Sequence, residues 1–238
     1  MLSRFLFLLV ALAIPATDAL AAPQQIIILR HGEKKDKYAL CSIGEERSLA
    51  LADVYLGKHG SVFADKLAPA AFYTNTLHTI ELASPSTQTF GLPQISFSAV
   101  PIKDSPDGDS TELLNTRTRD AAKDIFGNPA YNAGTVVMIW EHKHIADAKL
   151  EKQYPGQVVT LRQALGLADL AAKRPDLKIP DTWEGENYDY FWVVSYGYGS
   201  NTPIDFKMIR QTYGGIYAKL PQNDWGKPDH IRHKHGCE

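Results

Sequence analysis

The feature that most restricts this chain is a short run of β-branched residues, Ile26-Ile27-Ile28, closed at once by Leu29-Arg30-His31-Gly32. An apolar run of that length, without polar alternation and bounded by a glycine, reads as a strand buried on both faces, which is the habit of parallel sheets. Residues 135–140 repeat the pattern with Val136-Val137-Met138-Ile139 and end at Glu141-His142. Residues 190–195 repeat it again with Phe191-Trp192-Val193-Val194.

Helical and weaker strand segments separate these runs. In 42–58, the positions Leu49, Leu51, Ala52, Tyr55 and Leu56 form an apolar stripe that stops at Gly60. A second helix is expected over 76–90, stopped by Gly91 and Pro93 and with Pro85 suited to a new first turn. Ala71-Phe72-Tyr73 and residues 95–100 read as strands, and 110–126 as a helix with a polar face. Strands alternating with helices predict a three-layer α/β/α sandwich around a mostly parallel central sheet. Working residues in such sheets sit beyond the carboxyl ends of strands. Arg30-His31 and Glu141-His142 both lie there, so the two groups are expected to meet.

Charge narrows the partners. With 25 Lys plus Arg against 27 Asp plus Glu, the net charge is −2, which gives no general field for nucleic acid or an acidic membrane. Any anion site must be local. The amino terminus reads as a secretory signal over residues 1–21: Arg4, ten apolar residues from Phe5 to Ile14, and the small-residue pattern Ala19-Leu20-Ala21. The run is too short for a stable membrane span, which needs about 20 apolar residues. An exported, periplasmic or secreted, protein comprising residues 22–238 is expected. An oxidising destination leaves Cys41 and Cys237 two readings, a disulfide or two free thiols.

Arg30 offers a two-donor fork for a phosphate at any working pH. His31, when neutral, offers a ring nitrogen as a covalent nucleophile. Gly32 permits a tight turn, and a helix beginning soon afterward would add amide donors.

These residues resemble the histidine phosphatase superfamily, the phosphoglycerate mutase-like fold. Leu29-Arg30-His31-Gly32-Glu33-Lys34 is similar to its nucleophile loop, and Gly44-Glu45-Glu46-Arg47 to a Gly-x-x-Arg helix start. Thr79 to Pro85 is similar to the helix after the second strand, and Val136 to His142 to the late strand with its histidine. The resemblance implies that His31 is the phosphorylated nucleophile, Arg30 a phosphate ligand and His142 a second pocket histidine. It implies neither metal nor other cofactor, because cationic side chains neutralise the phosphoryl charge.

Two departures stand out. Where the family has a phosphate-clamping arginine at the start of the second helix, this chain has His78. No motif identifies the general acid, for which Glu141 and Glu112 are level candidates, with Asp107 and Asp109 nearby in sequence. Adjacent residues of a strand face opposite ways, so Glu141 reaches the pocket only if the strand has ended before it.

Other features have competing readings. Glu33 and Lys34 are either a solvated loop or substrate contacts. Arg117, Arg119 and Lys123 read as a solvent face, or as a source for the missing arginine. His230, His233, His235 and Cys237 are a soft-ligand tract that reads first as a polar tail. The aromatics from Trp183 to Tyr217 either cover a sheet edge or line a pocket at the end of the third strand. The expected function is an exported phosphatase acting on a small phosphorylated substrate. The rivals are a phosphate-binding protein without catalysis, favoured by His78, and a metal-binding protein using the terminal tract.

Overall fold

A computed structural model describes residues 22–62, 68–99, 110–230 and 237. The expected signal segment, Asp107, Asp109, His233 and His235 lie outside them.

The strands are β1 (Gln25–Arg30), β2 (Ala71–Thr74), β3 (Gln94–Ser96), β4 (Thr135–Trp140), β5 (Tyr190–Tyr196) and β6 (Pro203–Arg210). They form one six-stranded sheet in the order β3-β2-β4-β1-β5-β6. Pairing is parallel between β1 and β4, β2 and β4, and β2 and β3, whereas β5 is antiparallel to both β1 and β6. β5 therefore runs against all the others, and the sheet is mixed but mostly parallel.

The isoleucine run explains the layering. Ile26 and Ile28 pack with Val136 and Met138 on one face, against Ala121 and Ile125 of α3 (Thr111–Gly127). Ile27 and Leu29 pack with Val137 and Ile139 on the other, against Leu51, Leu56, and Leu82 of α2 (Leu77–Phe90). Successive strand residues face opposite ways, so a strand apolar throughout demands cover on both sides. Each such buried side chain contributes about 1.5–3 kcal/mol. The expected three-layer sandwich follows.

Differences from expectation are local. The 42–58 helix is α1 (Ser42–Ala50) continued by a π-helical turn, Leu51–Leu56, and ends at Gly57 rather than Gly60. α2 runs through Pro85 without restarting there, capped by Thr76 and Thr79 and closed by Gly91 at φ 66°. Such a left-handed residue is cheapest as glycine. β3 is shorter than 95–100. Sequence periodicity does not reveal β6, an edge strand that starts on a proline and keeps no regular alternation. Nor does it reveal four short helices, α4 (His142–Ile145), α5 (Ala148–Gln153), α6 (Leu161–Ala164) and α7 (Leu167–Lys173), each spanning too few turns to show a period.

The reversal of β5 corrects one expectation. Its register, Gln25↔Ser195 to Ile28↔Trp192, sends its carboxyl end away from Arg30 and brings residues before Tyr190 toward it. Any aromatic contribution to a site at Arg30 must come from the start of β5. Cys41 and Cys237 are joined, with Cα atoms 6.0 Å apart across a sequence separation of 196. Of the two readings, the disulfide is the one observed. No helix among the described residues is long and apolar enough to cross a membrane.

Candidate active site

β1 and β4 lie side by side in parallel register, Arg30 opposite Trp140, so the residues just past their carboxyl ends converge. His31 Nδ1 lies 2.7 Å from the Gly32 carbonyl oxygen. A carbonyl only accepts, so Nδ1 carries the proton and Nε2 presents a lone pair. Arg30 Nη2 donates toward that Nε2 at 3.3 Å, and His142 Nδ1 is 3.2 Å away. Arg30 is itself aimed: Nη1 donates to the carbonyls of Glu184 and Gly185, and the Tyr188 ring lies 3.9 Å beneath its Cζ. Tyr188 is the aromatic that the reversed β5 delivers.

β4 ends at Trp140, and Glu141 is the N-cap of α4. That satisfies the condition for Glu141 to face the pocket. Its Oε1 is 2.8 Å from His142 Nδ1 and 3.9 Å from His31 Nε2, while Oε2 accepts from the Lys143 amide at 2.9 Å and contacts His144 Nδ1 at 3.3 Å. Asn75, at the carboxyl end of β2, accepts from the Glu141 amide at 3.1 Å. Asn75 Nδ2 and Arg30 Nε are buried donors with no hydrogen-bond partner among the described residues.

The electrostatics suit a neutral nucleophile. Burial, then Lys34, Arg30 and His142, push the His31 imidazole well below its ordinary value. Burial and Arg30 also lower His142, against the pull of Glu141. For Glu141, burial alone would raise the carboxyl, but His142 beside it and the hydrogen bonds from His142 and His144 hold it well below the usual range.

A cavity of roughly 500 Å³ adjoins this group through Glu141 and His142, lined also by Lys34, His78, Thr111 and His144 among others, while His31 and Arg30 lie buried behind that wall. The loop that carries Lys34 is held by scaffold residues. Glu33 is fully buried and paired with Arg47 of α1, so it is neither a solvated loop residue nor a substrate contact. Gly44 is needed because a Cβ there would meet the Glu33 carbonyl oxygen at 2.3 Å. The Cys41 amide donates to that same carbonyl at 3.0 Å, so the start of α1 braces the loop instead of offering that donor to an anion. Gly32 has no left-handed φ; a Cβ there would stand 3.1 Å from Leu82 Cδ1, so it serves close packing.

His78 lines the cavity with its ring centroid 6.0 Å from that of His31. Its Nε2, however, lies 2.8 Å from the Asp36 carbonyl and must donate there. Burial and then Lys34 lower its pKa, so it carries no dependable charge at neutral pH. Glu112 is exposed on the first turn of α3 and does not line the cavity, so among the described residues Glu141 is the carboxylate that does. Arg117 Nε donates to the Ser98 carbonyl and Arg119 to the Val158 carbonyl, so neither supplies the missing arginine. Lys123 lies beside Asp120 and Asp124 in a different cavity. Cys237 is lost to any terminal metal tract by its disulfide.

Sequence reasoning missed Asn75 and expected Tyr188, among the aromatics of 183–217, at the wrong end of the third strand. Asn75 follows a strand too short to announce its end. Tyr188 precedes a strand whose direction only its pairing reveals.

His31, Glu141 and His142 each place one ligand atom within 4.8 Å of the others, a set compatible in principle with a metal ion. Arg30 Nη2 is 3.3 Å from both imidazole nitrogens, so a divalent cation there would meet a guanidinium at contact distance. The same donors favour an anion.

No protein-family model matches the chain, and no curated protein matches it significantly. Among solved structures, it is similar to a native mycobacterial glucosyl-3-phosphoglycerate phosphatase, at 15% identity and a TM-score of 0.43 over 79% of this chain and 98% of that one. The same phosphatase in complex with inorganic phosphate gives 14% identity and a TM-score of 0.40 over 88% and 100%. Mycobacterial hydrolase 2 gives 14% and 0.45 over 83% and 95%. The chemistry of the site has to come from its own residues.

Proposed function

We propose that this protein is an exported phosphoric monoester hydrolase that works through a phosphohistidine on His31. The observation that carries the reading is the fixed tautomer of His31. Its Nδ1–H is held on the Gly32 carbonyl, so Nε2 meets Arg30 and His142 with its lone pair. A phosphate that takes over those donors brings its phosphorus to Nε2.

The reaction divides into two displacements. In the first, His31 Nε2 bonds to phosphorus, the ester P–O bond breaks, and the leaving oxygen takes a proton from Glu141. The Gly32 carbonyl stabilises the positive charge that develops on the ring. In the second, water attacks phosphorus and yields a proton to the Glu141 carboxylate. The P–N bond breaks and inorganic phosphate leaves. One carboxyl group is acid and then base. Glu141 rests ionised and takes up a proton from solvent as the substrate binds, because the dianionic charge of the phosphoryl group raises a neighbouring carboxyl.

Export is supported by the signal-like first 21 residues and by a disulfide, which the cytosol does not favour. A small phosphoester suits the cavity's size.

The test is to mix the protein with an aryl phosphate, quench in alkali, where phosphohistidine survives, and locate the phosphoryl group by peptide mass spectrometry. Label on His31, absent together with turnover in a folded His31→Ala variant, is expected. Undiminished hydrolysis by that variant would refute the reading. One observation favours a second reading, a phosphate-binding protein without catalysis: His78 spends its Nε2 proton on Asp36. Phosphate binding without turnover of any ester would select it.

A further inference from the structure

We propose that His144 is the positioning residue of the general acid, holding Oε2 of Glu141 so that the transferable proton resides on Oε1. This rests on the phosphatase reading and extends it to a histidine that the sequence motifs leave unassigned.

A carboxyl group that acts as an acid has two oxygens, and only the one beside the leaving group can deliver a proton to it. Oε1 of Glu141 is that oxygen, 2.8 Å from His142 Nδ1 and 3.9 Å from His31 Nε2. Oε2 meets α4 instead. It accepts from the Lys143 amide at 2.9 Å and lies 3.3 Å from His144 Nδ1.

The hydrogens on His144 follow from what else its ring touches. Nε2 lies 3.0 Å from Asn115 Oδ1, an acceptor, so Nε2 carries a hydrogen. An ionised Glu141 is an acceptor too, and a bare Nδ1 opposite it would set lone pair against lone pair. Nδ1 therefore carries a hydrogen as well. Reversing the Asn115 amide changes nothing at Glu141, since a neutral ring that accepts at Nε2 keeps its hydrogen on Nδ1. With two donors already on Oε2, a proton taken up by the carboxyl has Oε1 to occupy.

The ring is anchored in the core. His144 follows Glu141 by three residues, and its amide donates to the Glu141 carbonyl at 2.9 Å, so one helical turn brings the ring back to the carboxyl. His144 and Asn115 are both buried. Asn115 and Thr118 stand three apart on a face of α3 otherwise buried through Leu114, Ala121, Ala122 and Ile125. Thr118 accepts from Trp140 Nε1 at 3.1 Å, so one helix holds both the end of β4 and the ring that steadies Glu141. A buried polar group without a partner is costly, and His144 is the partner that accounts for Asn115.

The experiment compares kcat/KM for an alkyl phosphate and for a nitrophenyl phosphate in the full, oxidised protein. An alkoxide needs a proton to leave and a nitrophenolate does not, so the ratio of the two reads the acid and is independent of the fraction folded. His144→Phe keeps a ring and removes its donors. It is expected to lose about 10- to 100-fold on the alkyl ester, the scale of one hydrogen bond to a charged group, and distinctly less on the nitrophenyl ester. His144→Asn, whose amide reaches the position of Nδ1, should recover most of the loss. Equal losses on the two esters, or none on either, would show that His144 does not position the acid; the phosphatase reading would stand provided the parent still forms phosphohistidine. If the parent hydrolyses neither ester and forms no phosphohistidine, both fall.

Discussion

Glu33 and Arg47 form an ion pair with almost no contact with solvent: Arg47 Nη2 reaches Glu33 Oε1 at 2.6 Å, and Nε lies 3.1 and 3.0 Å from the two carboxylate oxygens. Arg47 also donates to the Pro221 carbonyl at 3.1 Å, so the pair ties the loop that follows β1 both to α1 and to the segment around Pro221.

Breaking this pair from one side strands a charge. Arg47→Met should lower unfolding free energy by about 3–5 kcal/mol, because Glu33 remains buried without its partner. The Glu33→Met/Arg47→Met double variant should lose distinctly less. Denaturant melts of the three proteins decide this. Equal losses would mean that packing, not the orphaned charge, sets the cost.

The histidines at the site predict acid sensitivity. His31 and His142 have folded pKa values below that of the unfolded chain, about 6.5, so the unfolded state takes up protons first as pH falls. Their contribution to stability is present above pH 6.5 and is lost as pH drops below it. Glu141, lowered in the same way, adds a loss that begins near its ordinary value of about 4.5 and continues as pH falls toward its folded pKa. Melting temperature should decline from pH 6.5 to 4, more gently in His31→Asn. His31, the proposed nucleophile, is held toward neutrality in mild acid, so initial rates should hold below pH 6 while the protein remains folded. A rate that followed the titration of an ordinary imidazole would contradict the assignment.

At His78, the variant His78→Arg exchanges a neutral ring for a permanent two-donor cation. In an otherwise native protein the gain in kcat/KM should be small near neutral pH, because the new side chain must give up the donation to Asp36. Rates measured at neutral pH would show it, and a gain of about 100-fold or more would mean that the clamp is restored without that cost.

Reducing the Cys41–Cys237 disulfide opens a link across most of the described chain. Loop-closure entropy sets a cost of about 2–5 kcal/mol in stability, the upper end applying to long loops. Cys41 adjoins the Lys34–Leu40 bridge, so phosphate affinity should fall with it. Melting curves and phosphate inhibition with and without reductant measure the two effects. Loss of stability with unchanged inhibition would show that the bridge and Glu81 suffice to hold the loop.

The sandwich and the core of the site could be read from sequence because buried parallel strands are apolar on both faces and their carboxyl ends mark where chemistry collects. That logic placed Arg30, His31, His142 and Glu141, and the end of β4 at Trp140 resolved the condition on Glu141. Tertiary structure decided the rest. Only folding shows that Glu33 belongs to Arg47 and that Cys41 meets Cys237. The direction of β5, which puts Tyr188 under Arg30, emerges only from its pairing, and the exposure of Glu112 only from how α3 packs. These are pairings between distant segments, or choices of strand direction, and a local pattern of apolar and polar residues carries no record of either. A buried run states how much cover it needs; which distant residue provides that cover, or the opposite charge, is settled only when the chain returns to it.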